Sequence, residues 1–199
     1  MARMSRTTVI VLVALGAGLA GIAFSSAAER LRDQDNAAHE SVPAGPQTAS
    51  LGWRETFGPK GEQLVFSVES LQVTPSGWRA RLSLTNDTTA AYEVGDPGAT
   101  LDRSFGLMLF ASGDPKELEE RNLSQTLPAV RSALQYEPSL PAVLESGDSW
   151  SGTISAPGAL VAESWVRVVF GALVVVGKPP EGVEDTVVWI TDHAYRLKP

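Results

Sequence analysis

Short alternating segments separated by turn residues dominate the chain after Trp53, and they constrain the fold more than any other feature. The clearest is WRARLSLT at residues 78–85, in which apolar side chains occupy one parity and polar ones the other. This alternation is typical of a strand with one buried face and one solvent-facing face. Repeated at short intervals, such segments indicate an all-β sandwich or barrel.

The segment LVFSVESLQV at residues 64–73 changes parity along its length. Leu64, Phe66 and Val68 alternate, and then Leu71 and Val73 take the opposite parity, which predicts a bulge or bend near Ser70. Further strands are predicted at residues 92–94, 105–110, 150–155, 164–170, 172–176 and 186–197. With about seven to eight strands in total, we expect an immunoglobulin-like antiparallel β-sandwich.

The stretch from Ala111 to Ser149 lacks this alternating pattern and is long for a connection between strands. Asp114 followed by Pro115, with Glu117 three residues after the aspartate, matches the start of a helix with a capping box. We therefore predict a partly helical insertion at 111–149. It either covers an open end or edge of the sandwich or serves as a binding loop, and the need to cover sheet edges favours the first.

The first 28 residues resemble an export segment. Arg3 and Arg6 precede a run without charge from Thr7 to Ala28, so residues 1–28 are predicted to be a signal peptide or a single-span membrane anchor. Cleavage near Ala28 and retention both stay open, and the length of the run favours the anchor. Residues 29–52 lack a period and are predicted to be a flexible linker that contains His39, with the sandwich at 53–199.

Composition narrows the function classes. The chain of 199 residues carries a formal net charge of −7 and shows no basic stripe, which argues against binding to nucleic acid. It contains no cysteine, which excludes disulfides, thiol nucleophiles, cysteine-ligated zinc and a lipidated cysteine. With two histidines and few methionines we expect no metal or other cofactor.

The adjacent Asp192 and His193 in the segment WITDHAYRL raise the question of a catalytic pair. Successive side chains of an extended strand point to opposite faces, so a dyad is not expected, and His193 is predicted to be a half-buried residue that is hydrogen-bonded across its strand. No nucleophile motif accompanies it. Calcium ligands are conceivable at Asp96, Asp102, Asp114 or Asp148, but the sequence has no calcium-loop motif and each aspartate fits a turn.

Five tryptophans are many for a domain of this size. Trp78 and Trp189 are predicted to be core residues. Trp53 and Trp165 are the candidate binding residues, because an exposed tryptophan on a sandwich can anchor a partner. For Trp165 the alternative is burial beneath the insertion at 111–149, which we favour.

The runs WRARLSLTNDTTAAYEV, ESGDSWSGTIS, SWVRVVFG and VVWITDHAYRL resemble a family of exported bacterial immunoglobulin-like sandwich proteins of unknown function. The resemblance covers residues 64–197 and rests on strand and turn features. It implies a fold and an extracytoplasmic location, and it supplies no catalytic residues. The absence of cysteine separates this chain from lipoprotein members of that family.

Together these features predict a non-enzymatic extracytoplasmic binding module, tethered through its N-terminal apolar segment or secreted. Its expected partner is another envelope protein, a wall polymer or a small ligand. Two alternatives remain, namely a purely structural spacer and an envelope hydrolase that uses carboxylates, with Asp102, Glu137 and Asp148 as the candidates.

Overall fold

The computed structural model describes residues 42–95 and 105–199, which form two antiparallel β-sheets with a shared core. The predicted export segment, most of the predicted linker with His39, and the carboxylates Asp96 and Asp102 lie outside these residues. Within the described part of the chain, no helix has the length and apolar character needed to cross a membrane.

The first sheet has the strand order β1-β2-β3-β9-β7. Its members are β1 (Gln47–Phe57), β2 (Gln63–Thr74), β3 (Gly77–Asp87), β7 (Gln135–Glu137) and β9 (Ser149–Pro157). The alternation predicted for β3 is confirmed, since its apolar residues are buried and Arg79 and Arg81 are exposed. The register of β2 against β3 shifts between Val68 and Ser70, which confirms the predicted bulge.

The second sheet is built around the long strand β10 (Trp165–Val175). The other strands are β4 (Tyr92–Val94), β5 (Gly106–Phe110), β6 (Arg131–Ser132), β8 (Val143–Leu144), β11 (Thr186–Ile190) and β12 (Tyr195–Arg196). The sequence predicted two strands where β10 is one, because the irregularity between Phe170 and Leu173 bends the strand without ending it. β4 and β5 pair with one edge of β10, while β11 and β12 pair with the other.

The core lies between the sheets and is rich in aromatic side chains. Phe66 of β2 stacks on Trp189 of β11, with ring centroids 5.2 Å apart and an interplanar angle of 1°. It also meets Phe170 of β10 at a centroid distance of 5.0 Å. Burial of one such side chain contributes roughly 1.5–3 kcal/mol, so these contacts across the interface hold the two sheets together.

The insertion at 111–149 contains one helix, α1 (Pro115–Leu123), which confirms its partly helical character. Asp114 is the N-cap, and its carboxylate accepts the Lys116 N–H at 2.9 Å. Glu117 reaches back to the Ser112 N–H at 2.8 Å instead of closing a capping box on Asp114. Leu118 is buried in a second apolar cluster on the outer side of the β10 sheet, so the insertion covers that sheet.

The sandwich already includes residues before Trp53, which corrects the predicted linker boundary at Gly52. Residues 47–52 form the first half of β1, and Ala44 is already buried. The backbone N–H of Ala44 donates to the Leu160 carbonyl at 2.8 Å. The pattern did not predict a strand here, because the segment shows little contrast in hydrophobicity. Its inward residues, Gln47, Ala49 and Leu51, alternate with small residues and are themselves only half-buried.

Candidate functional site

The chain leaves the edge of β10 between Thr191 and Ala194. The single strand predicted at 186–197 is therefore wrong: β11 ends at Ile190 and β12 begins at Tyr195. The hydroxyl of Thr191 accepts the Val168 N–H at 3.0 Å and donates to the His193 carbonyl at 2.9 Å. The side chain of Thr191 thus bonds a β10 backbone group that a neighbouring strand would otherwise bond. Residues 192 and 193 lie on the bend that follows.

A buried carboxylate from the other sheet occupies this bend. Glu55 lies on β1 with its side chain turned inward, and it is 9% exposed. Its Oε2 atom accepts from Trp189 Nε1 at 2.7 Å and from the Asp192 N–H at 3.0 Å. Its Oε1 atom accepts from the His193 N–H at 3.1 Å and from His193 Nδ1 at 2.6 Å. Four donors therefore surround one carboxylate and join the edges of the two sheets.

His193 is more exposed than predicted and bonds to a different partner. Its side chain is 55% exposed, and it contacts β1 of the opposite sheet instead of a strand in its own sheet. Trp53 stacks on its ring, with centroids 5.6 Å apart and an interplanar angle of 20°. Within the described residues, Nε2 of His193 has no hydrogen-bond partner. The imidazole is thus held on two sides while part of it faces solvent.

Arg167 completes the site from beneath the bend. It lies on the parity opposite Val166 and Val168, and it is fully buried. Its guanidinium donates to the carbonyl of Thr191 at 2.8 Å and to that of Asp192. It also donates to two carbonyls of the insertion, Gly113 at 3.2 Å and Asp114 at 3.1 Å.

The surroundings of Arg167 explain why a charge is tolerated there. The guanidinium lies 5.3 Å from the centroid of the Phe110 ring, a cation–π arrangement. Burial lowers the pKa of Arg167, while the nearby carboxylates of Asp192 and Glu55 act against that shift. Since guanidinium groups stay protonated in proteins, Arg167 is a fixed positive charge that links the bend to the cap of α1.

The carboxyl of Asp192 has a perturbed pKa. Burial raises its pKa to about 6, the negative charge of Glu55 adds to the rise, and Arg167 and His193 oppose it. Within the described residues, no hydrogen bond joins the side chains of Asp192 and His193. The two are not a dyad; Glu55 orients the histidine, and sequence reasoning missed it.

The two candidate tryptophans occupy different environments. Trp53 is half-buried beside His193 at the site just described. Trp165 is half-buried on the opposite side of the second sheet, where a Cβ atom on Gly113 would lie only 2.4 Å from its ring. The insertion therefore packs directly on Trp165, in agreement with the alternative of burial.

The carboxylates considered for calcium or hydrolysis serve separate local purposes where the structure describes them. Asp114 caps α1. Asp148 accepts the Glu145 N–H at 3.3 Å within a turn. Glu137 is exposed on the short edge strand β7.

Comparison with known proteins gives no relative: the sequence matches no protein-family model, and neither the curated proteins nor the solved structures contain a significant match. The function is therefore inferred from the residues of this chain.

Proposed function

We propose that this protein is a non-enzymatic extracytoplasmic binding module with an immunoglobulin-like sandwich, and that it contacts a partner protein of the cell envelope through Trp53 and His193. The observation that carries the proposal is the stacked Trp53–His193 pair, which is partly exposed and fixed by the buried Glu55. Tryptophan is one of the residues enriched at the energetic centre of protein interfaces.

The rigidity of the pair supports a role in binding. Four hydrogen bonds hold Glu55, and its Oε1 atom fixes both the backbone and the ring of His193. A surface that is already ordered loses little conformational entropy when a partner binds. The unbonded Nε2 of His193 adds a polar group that can orient the partner.

The strand that carries Trp53 also favours a protein partner. Within the described residues, β1 pairs with β2 and with no other strand. A strand with one neighbour can accept an added strand along its other edge, a common mode of peptide recognition. Gly52, with a φ of 59°, interrupts the register between Ser50 and Trp53, so an added strand would run along Trp53 to Phe57.

The location is proposed from the sequence. Two arginines precede an uncharged run that ends at Ala28, and such a segment directs the rest of its chain across a membrane.

The test is site-specific photo-crosslinking of the full-length protein in its native host, with the photoreactive residue placed at the exposed Arg54. We expect one recurrent envelope protein that recovers this chain when it is itself used as bait. Trp53→Ala should abolish that product. Trp165→Ala is the matched control because it removes a half-buried tryptophan on another face, and it should leave the product unchanged.

Mass spectrometry of the recovered bait also identifies its N-terminus and so distinguishes retention from cleavage near Ala28. A folded Trp53→Ala protein that still gives the product would overturn the assignment of the surface. A wild-type protein that gives no recurrent product would favour the purely structural spacer.

A further inference from the structure

A second surface, independent of the Trp53 pair, lies on the outer face of the first sheet. A cleft of about 540 Å³ opens beside the turn between β2 and β3. Its polar lining residues are Gln72, Thr74, Ser76, Arg79, Gln135 and Ser155.

The strand register places four of these side chains in one row. Gln72 lies opposite Arg79, Arg79 opposite Ser155, and Ser155 opposite Gln135. Residues that are directly opposite in antiparallel strands project from the same face. At about 4.8 Å per strand, the row is about 14 Å wide.

The row is rich in free hydrogen-bond donors. The guanidinium of Arg79 has no partner within the described residues, in contrast to that of Arg81, which bonds Glu69 at 2.7 Å. The hydroxyl of Ser155 donates to Oε1 of Gln135 at 3.2 Å. The amide oxygen of Gln135 is therefore occupied, and its NH₂ group is left to donate to a ligand.

The charge of the cleft lining also favours an anionic ligand. Arg79 is the one charged residue among the described residues that line the cleft, although the whole chain carries a net charge of −7. An arginine fork flanked by amide donors suits the several acceptor oxygens of a phosphate group.

The rest of the lining indicates what carries the phosphate. Trp78 lines the cleft but is only 4% exposed, so it offers no open ring face for a sugar to stack on. The hydroxyls of Thr74 and Ser76 lie 3.3 Å apart. The Thr74 hydroxyl donates to the Gly77 carbonyl at 3.1 Å, so it is left as an acceptor, while the Ser76 hydroxyl can both accept and donate. They suit the hydroxyl groups of an open-chain polyol.

We propose that this cleft binds a phosphate ester of a polyol, with Arg79 and Gln135 holding the phosphate and Thr74 and Ser76 contacting the hydroxylated chain. The same chemistry occurs in a lipid headgroup and in a soluble or polymeric polyol phosphate. The site involves neither Trp53 nor His193, so its failure and that of the proposed function are distinguishable.

The test is calorimetric titration of the full-length protein with glycerol 3-phosphate and, separately, with glycerol. We expect binding of glycerol 3-phosphate only. Arg79→Gln should weaken it by about tenfold or more, because a charge-assisted fork is lost. Arg81→Gln is the matched control on the neighbouring row of the same face, and it should change the affinity less than about twofold, since Arg81 already has a partner.

Sedimentation with vesicles distinguishes the two sources of the ligand. Wild type and Arg79→Gln share the same N-terminal segment, so a difference between them reports the cleft. Greater binding of wild type to phosphatidylglycerol vesicles, without a difference on phosphatidylcholine vesicles, assigns the ligand to a lipid headgroup. No difference on either vesicle, together with binding of glycerol 3-phosphate, assigns it to a soluble or polymeric source.

Three results would overturn the site. One is no binding of glycerol 3-phosphate by a folded protein. Another is equal binding of glycerol. The third is an equal loss of affinity in Arg79→Gln and Arg81→Gln, which would indicate diffuse attraction to the face instead of a built cleft.

Discussion

Nδ1 of His193 lies 2.6 Å from Oε1 of Glu55, although the two residues are 138 positions apart in the chain. The contact joins the edge strand of the first sheet to the bend that interrupts the edge of the second. A carboxylate is the side chain that suits this place, because all four of its contacts are hydrogen-bond donors. The surface histidine is thereby tied to the core through Trp189.

Replacement of Glu55 by glutamine tests these hydrogen bonds with almost no change in the shape of the side chain. The amide NH₂ group would face donors and leave about two of them buried without an acceptor. We expect a loss of about 2 to 3 kcal/mol in the free energy of unfolding, measured by urea denaturation. The control is Glu69→Gln, which breaks an exposed ion pair with Arg81 and should cost less than about 1 kcal/mol. Equal effects of the two changes would contradict the central role of Glu55.

Arg167→Lys tests the connection between the bend and the insertion. An ammonium group is a compact donor and cannot span four carbonyls that lie on two separate segments. We expect a loss of about 2 kcal/mol or more and faster amide hydrogen exchange at residues 191–194 and at the start of α1. Arg81→Lys, at an exposed position, should alter neither the free energy of unfolding nor the exchange rates of these segments. Faster exchange at only one of the two segments would show that Arg167 does not link them.

Local patterns were sufficient to predict the elements that are stabilised by near neighbours in sequence. The alternation of β3, the bulge near Ser70 and the cap at Asp114 were each predicted correctly. Each depends on a few adjacent residues whose propensities agree with the final structure. The all-β class follows from the repetition of such segments.

The candidate site could not be predicted in the same way, because its contacts join distant residues. Glu55 bonds Trp189 across 134 positions, and Arg167 is covered by Gly113 and Asp114, which are 54 and 53 positions away. A glutamate in an alternating segment is usually solvent-exposed. The available signal was its parity, since Glu55 shares the inward face of β1 with Trp53 and Phe57.

Asn86 offers a test of the turn after β3. It is fully buried, and its amide donates to the carbonyls of Ala90, Leu144 and Glu145 at 2.7, 3.0 and 3.0 Å. Asn86→Ala would leave these acceptors without that donor, so we expect a loss of about 3 kcal/mol in thermal or urea unfolding. The control is Asn122→Ala in α1, whose side chain makes no hydrogen bond within the described residues. A loss below about 1 kcal/mol for Asn86→Ala would show that water replaces the amide.

The raised pKa of Asp192 makes the stability of the protein depend on pH in a definite direction. The carboxyl has a pKa of about 6 in the folded state and about 3.9 in an unfolded chain. Between these values the folded state binds more protons, so this residue lowers stability as pH rises from about 4 to 6. Above that range the cost of burying the ionised carboxylate is fully present.

Asp192→Asn removes this cost, since the amide is neutral at every pH. At pH 7.5 we expect the variant to be more stable than wild type by about 1 to 2 kcal/mol, a value reduced for partial solvation of the carboxyl. The difference should shrink as pH falls and vanish near pH 3, where the wild-type carboxyl is mostly protonated in both states. Urea denaturation across this pH range measures the difference.

Glu117→Gln is a control of opposite sign. Burial acts to raise the pKa of Glu117, but hydrogen bonds from Arg121 and Ser112 lower it overall. That variant should therefore lose stability at neutral pH and approach wild type in acid. A stability difference for Asp192→Asn that is the same at both pH values would show that shape, and not charge, is responsible.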